Sequence, residues 1–144
     1  MGAFKLVLIV FIFSFNFCWS QNIVGKIYTK VDADKIYGPV ITSVQISSSF
    51  LSSLTNSTVS FIMFRINNGN LIILGDKRKL LYPSGIVVSP ADEMRLFSVS
   101  LVKKLINDGN ETNTKIEIRN NNILTLTNGN YTLEMSWPCP PSCE

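Results

Sequence analysis

KIEIRNNNILTLTNGNYTLEMSW, residues 115–137, decides the fold class. In its first five residues Ile116 and Ile118 point one way, and Lys115, Glu117 and Arg119 point the other. A period of two marks a β-strand with one buried face and one wet face. Asn120-Asn121-Asn122 turns the chain, because asparagine tolerates the positive φ of tight turns. ILTLT, residues 123–127, returns, and Asn128-Gly129-Asn130 turns the chain again. In the last arm Tyr131, Leu133, Met135 and Trp137 share one face, while Thr132, Glu134 and Ser136 share the other. The pattern predicts an antiparallel meander whose last strand runs to Trp137, with Glu117 and Glu134 on the wet face.

Upstream, STVSFIMFRINNGNLIILG, residues 57–75, reads as a hairpin. Both arms are apolar on both faces, as in a central strand covered on two sides. Asn67-Asn68-Gly69 supplies its turn. VITSVQI, residues 40–46, is a further strand, and IVV, residues 86–88, a short one. DKRKLLYPSG, residues 76–85, is a polar link with a brief apolar piece.

Helices announce themselves by their caps. Thr29 and Asp32 have the spacing of a capping box, and Gly38-Pro39 ends the helix that follows. Ser47-Ser48-Ser49 caps a brief helix with Phe50, Leu51 and Leu54 on its apolar side. Ser89-Pro90-Ala91-Asp92 has the form of a second capping box. A strand over residues 94–97 and a helix from Ser98 to Asn107, ended by Asp108-Gly109, follow. The expected class is α+β: a single domain with an antiparallel or mixed sheet of about six or seven strands and two or three short helices packed on it. A β-sandwich is the alternative.

MGAFKLVLIVFIFSFNFCWS, residues 1–20, has a lysine followed by an apolar run and small residues at 18 and 20. This reads as a secretory signal peptide cut before Gln21, since the run is too short and too interrupted to span a bilayer. Residues 21–137 then form the domain, and 138–144 a Pro/Cys-rich tail. The expected location is secreted, periplasmic or at the cell surface, with no membrane span after cleavage. The chain carries a net charge of +3 and scattered basic residues, only Lys77-Arg78-Lys79 and Lys103-Lys104 being adjacent. Nucleic-acid binding calls for a basic stripe, so it is not expected.

The chain has no histidine. This removes Ser–His and Cys–His nucleophiles and imidazole zinc sites. No P-loop, dinucleotide fingerprint, EF-hand or GxSxG elbow occurs. No enzyme activity, no cofactor and no metal site are therefore expected. Three sequons begin at Asn56, Asn110 and Asn130, and would accept glycans in a eukaryotic secretory pathway.

Cys139 and Cys143 lie in WPCPPSCE, residues 137–144. No cation neighbours them in sequence and no helix follows, so a catalytic redox pair is not expected. Export favours oxidation, and the pair reads as a disulfide, provided Pro140-Pro141-Ser142 turns. Whether the bond forms within one chain or between chains is open at this point.

The functional expectation is an exported, non-catalytic interaction or structural domain. Its partner would be an extracellular protein or glycan, and the sequence bears no mark of a particular oligomeric state. Within that class, a secreted enzyme inhibitor would offer the CPPSC tip or the 75–85 segment as its loop. The other alternative is a carrier of a small apolar ligand, suggested by Phe50, Phe61, Met63, Phe64, Phe97 and Met135.

Overall fold

A computed structural model describes residues 22–141 and Cys143. The expected signal peptide lies outside the described residues. The first elements are β1 (Lys26–Thr29), α1 (Lys30–Tyr37), β2 (Val40–Ser47) and α2 (Ser48–Thr55). The hairpin β3 (Phe61–Asn67) and β4 (Asn70–Leu74) follows, then β5 (Leu80–Tyr82), β6 (Met94–Ser98) and α3 (Val99–Gly109). The chain ends with β7 (Asn113–Arg119), β8 (Ile123–Asn128), β9 (Tyr131–Glu134) and β10 (Trp137–Cys139).

The protein is mixed α+β, but the strands do not form one sheet of six or seven. Among the described residues they divide into two antiparallel five-stranded sheets, ordered β1-β9-β8-β7-β2 and β10-β6-β3-β4-β5. Neither sheet closes on itself, and the arrangement fits the sandwich-like alternative. The first sheet turns Ile116, Leu124, Leu126 and Leu133 toward a core that also holds Ile62, Phe64, Ile73 and Phe97 of the second. Leu51 and Leu54 of α2, with Val102 and Leu105 of α3, complete that core. Phe64 and Phe97 meet edge to face with ring centroids 6.2 Å apart. Each such buried side chain contributes roughly 1.5–3 kcal/mol by leaving water.

The second sheet needs cover on both faces, as the doubly apolar hairpin requires. β3 is its central strand, flanked by β4 and β6. Met63, Leu74, Met94 and Leu96 point away from the sandwich core into a second cluster with Val24 and Cys139. Asn68 and Gly69 adopt φ of 49° and 79° at the hairpin turn. The left-handed region is open to glycine and tolerated by asparagine.

The caps form as their residue types demand. Thr29 Oγ1 accepts from Asp32 N at 3.2 Å, and Gly38 closes α1 at φ 78°. Ser47 Oγ accepts from Phe50 N at the start of α2. Ser89 to Asp92 makes one of the two capping-box bonds, yet no helix follows. Asp92 Oδ2 accepts from Ser89 N at 3.3 Å, and Asp92 N donates to Ser89 O at 3.0 Å, closing a turn instead. The next residues are taken by β6, whose two apolar faces are each buried in a cluster.

Three strand expectations need correction. Residues 86–88 are not a strand, because no neighbour offers them a ladder. Residues 80–82, expected to be part of a link, form the edge strand β5. YTLEMSW is not one strand. β9 ends at Glu134, Met135 turns the chain at φ 63°, and Trp137 pairs with Leu96 in the other sheet. The boundary expected between residues 137 and 138 thus falls inside β10, where Pro138 is tolerated because an edge strand can spare its N–H.

Candidate functional site

Tyr82 to Glu93 leaves the second sheet between β5 and β6 and carries Pro83, Gly85, Ser89 and Pro90, all turn formers. Gly85 takes φ 79°, a conformation costly for any residue with a Cβ. Val88 turns inward against the outer cluster of the second sheet. Val87 points out and is 98% exposed, with Ile86 exposed beside it. A β-branched side chain left in water at a loop tip does nothing for the fold.

The stem of this loop is braced. Arg65 pairs with Asp92 at 2.9 Å, and its hydrogen bond holds the Asp92 carboxyl below the usual carboxylate range. Arg78 Nη2 donates to Ser89 O at 3.0 Å and to Asp92 O at 2.9 Å. Its Nη1 donates to Cys139 O at 3.2 Å and contacts Cys139 Sγ at 3.3 Å. One guanidinium therefore ties the loop to the C-terminal end of the chain. Its flat fork suits such multiple contacts, as a lysine would not.

Lys77 and Arg78 both adopt positive φ, 55° and 58°, which costs roughly 1–2 kcal/mol per residue. The turn is held by Asp76, whose carboxylate accepts from Val59, Ser60 and Phe61 N–H groups at 2.8–3.0 Å. Partial burial pushes the Asp76 carboxyl up, but the bonds from Ser60, Val59 and Phe61 outweigh it and hold the group below its ordinary value.

Cys139 and Cys143 are joined within the chain at disulfide distance, with Sγ atoms 1.98 Å apart and Cα atoms 4.7 Å apart. The Cys139-Pro140 and Pro140-Pro141 peptides are cis, which brings the chain round. Cys139 is fully buried on β10, and Cys143 is half-buried. The two cysteines have no cationic sequence neighbour, yet the fold brings Arg78, 61 residues away, against Cys139 Sγ.

The sequon asparagines are all exposed. Asn56 follows α2, Asn110 is the left-handed cap of α3, and Asn130 sits in the turn before β9. They lie on three different connections of the chain.

Glu117 and Glu134 are not wet. The outer face of the first sheet lies under α1, and both carboxylates are buried with Arg119. Arg119 Nη1 donates to Asp34 Oδ1 of α1 and to Gly38 O, each at 2.7 Å. Its Nε donates to Thr125 Oγ1 at 3.3 Å, and its Nη2 lies 3.6 Å from Glu117 Oε2. Thr127 Oγ1 donates to Glu117 at 2.8 Å. Glu134 has no hydrogen-bond partner on either oxygen among the described residues. Burial pushes Glu134 up to about 8 despite the opposing pull of Arg119, with Glu117 and Asp34 adding to the rise. Tyr37 is pushed up to about 12 by burial and by its hydrogen bond to Tyr28. Solvent does not reach the Glu134 or Arg119 side chains, and through Asp34 and Gly38 O the cluster holds α1 on the sheet.

Two further features bear on ligands. A cleft of about 340 Å³ gathers Arg65, Glu93, Arg95 and Asn122 beside Phe64 and Leu124. Both arginines are engaged, Arg65 by Asp92 and Arg95 by Glu93 at 2.8 Å. The aromatic and methionine residues that suggested a carrier do not share one volume. Phe64 and Phe97 lie in the sandwich core, Phe61 and Met63 on the opposite face of the second sheet, and Phe50 and Met135 are exposed. No helix among the described residues is long and apolar enough to cross a membrane.

No family model, no curated protein and no solved structure matches the chain. Function must therefore be read from the side chains. Sequence inspection passes over Arg78, because its partners are backbone carbonyls and a sulfur far along the chain. It also passes over Arg119, whose charge on an alternating strand mimics a solvated face.

Proposed function

We propose that this chain is an exported, non-catalytic binding domain that meets an extracellular protein through the loop of residues 83–91. The supporting observation is Val87, 98% exposed at the tip of a loop whose stem is gripped by Arg78 and Asp92. A braced stem lowers the ordering cost of binding, and an exposed apolar tip supplies area to bury. This is the geometry of a preorganised contact element, the kind a secreted inhibitor uses. The loop shares only residues 83–85 with the 75–85 segment, whose earlier part is tied down by Asp76 and β5.

The test places a photo-crosslinking side chain at Val87 and, as a control, at Lys115 on the far sheet. After incubation with the host's extracellular fraction, a discrete adduct from position 87 and none from 115 supports the reading. Equal labelling from both positions, or none from 87, counts against it.

A further inference from the structure

The Cys139–Cys143 disulfide is asymmetric. Cys139 Sγ is buried and faces a guanidinium, whereas Cys143 packs against the edge of the same outer cluster and is only partly buried. A thiolate opening a disulfide attacks one sulfur and expels the other, and exchange is faster when the expelled thiolate is stabilised. We propose that Cys143 is a thiol-exchange site, attacked by an external low-molecular-weight thiol, with Cys139 leaving as a thiolate against Arg78.

The step balances. An incoming thiolate, such as that of glutathione, forms a new S–S bond to Cys143 Sγ. The Cys139–Cys143 bond breaks, and its electron pair goes to Cys139 Sγ. No proton moves and no other oxidant is needed. Attack on Cys139 is blocked, because its side chain is fully buried in the outer cluster with Met94 and Leu96, which covers Cys143 only in part. An anion left there unpaired would be costly, but Arg78 Nη1 already stands 3.3 Å away. The guanidinium has no carboxylate in hydrogen-bond contact among the described residues. Its bonds there go to carbonyl oxygens and this sulfur, so its charge is not neutralised by a direct acidic partner. The inference does not depend on the loop's role in binding.

The experiment treats the oxidised mature chain with reduced glutathione, quenches in acid, and locates the adduct by peptide mass mapping. The expected result is glutathione on Cys143. The exchange rate is expected to fall about tenfold in Arg78→Gln and to change little in Lys79→Gln, an exposed neighbour that controls for general charge. An adduct on Cys139, or the same rate in Arg78→Gln as in the wild type, overturns the proposal. Should Arg78→Gln fail to fold, the wild-type chain decides against itself unfolded in urea. The native chain must direct the adduct to Cys143 where the unfolded chain divides it between both sulfurs, and an even division in the native chain also overturns the proposal.

Discussion

Glu134 Oε1 lies 3.3 Å from Arg119 Nε, and neither side chain is reached by solvent. One buried cation thus faces three carboxylates, those of Glu117, Glu134 and Asp34, of which only Asp34 is substantially exposed. The arrangement favours keeping a proton on Glu134, and stability inherits that preference.

The folded chain holds the Glu134 proton up to about pH 8, against an ordinary value of 4.5. Stability from this group is complete below the ordinary value and is lost as pH rises through about 8. The loss is on the order of a few kcal/mol. Thermal melts should therefore show a lower Tm at pH 9 than at pH 5. Glu134→Gln, which copies the neutral form, should flatten that slope. A variant that keeps the full slope would place the titration elsewhere.

Arg119→Ala removes the cation and leaves the buried carboxylates uncompensated. Breaking a buried pair in this way costs roughly 3–5 kcal/mol. Because Arg119 also holds Asp34 and Gly38 O, amides of α1 should lose hydrogen-exchange protection before those of β3. Uniform loss of protection across both elements would show that the contact is not local.

Asp76→Ala frees three N–H groups, on Val59, Ser60 and Phe61. Unmaking such bonds should cost about 1–3 kcal/mol in urea unfolding. The folded carboxyl sits below 3.8, so this contribution is present above that value and disappears as pH falls through the lower, folded one. The Ala variant should accordingly lose less stability than the wild type on acidification toward pH 2.

Gly109→Ala tests a backbone contact. A Cβ there would strike Asn128, whose buried side chain bonds Ser48 Oγ and Thr114 Oγ1 at 2.9 Å and accepts from Glu111 N at 3.0 Å. Overpacking of this kind costs roughly 1–3 kcal/mol, read as a drop in the urea midpoint. Gly69→Ala has open space around its Cβ position and should suffer only the strain of its positive φ.

Val87→Asp is the functional counterpart. With its side chain in water, the change should leave the urea midpoint within about 0.5 kcal/mol of the wild type. Binding of any partner captured through the loop should weaken by about thirtyfold on loss of an apolar anchor, roughly 2 kcal/mol. Unaltered affinity would assign the contact to another surface.

Local periodicity and caps were enough to place the hairpin of β3 and β4, the helices α1, α2 and α3, and the strands β7 and β8. Each depends on neighbours within a few residues: a hydroxyl three before a carboxylate, an asparagine before a glycine, apolar residues every second position. The same locality explains the errors. Glu117, Arg119 and Glu134 alternate with apolar residues, and alternation reports that two faces differ, not that one is wet. Only the return of α1 over the first sheet buries them. Met135 keeps the alternating phase of YTLEMSW, yet its left-handed backbone passes the chain to the other sheet.

By itself, then, the sequence determined the class of fold, most of its elements and the absence of histidine chemistry, because those are properties of residues and their near neighbours. Tertiary structure alone decided that there are two sheets, that three carboxylates gather on one arginine, and that Arg78 joins a loop to a disulfide. These are contacts between residues tens of positions apart. Their energies come from burial and charge pairing in three dimensions, which no spacing along the chain records.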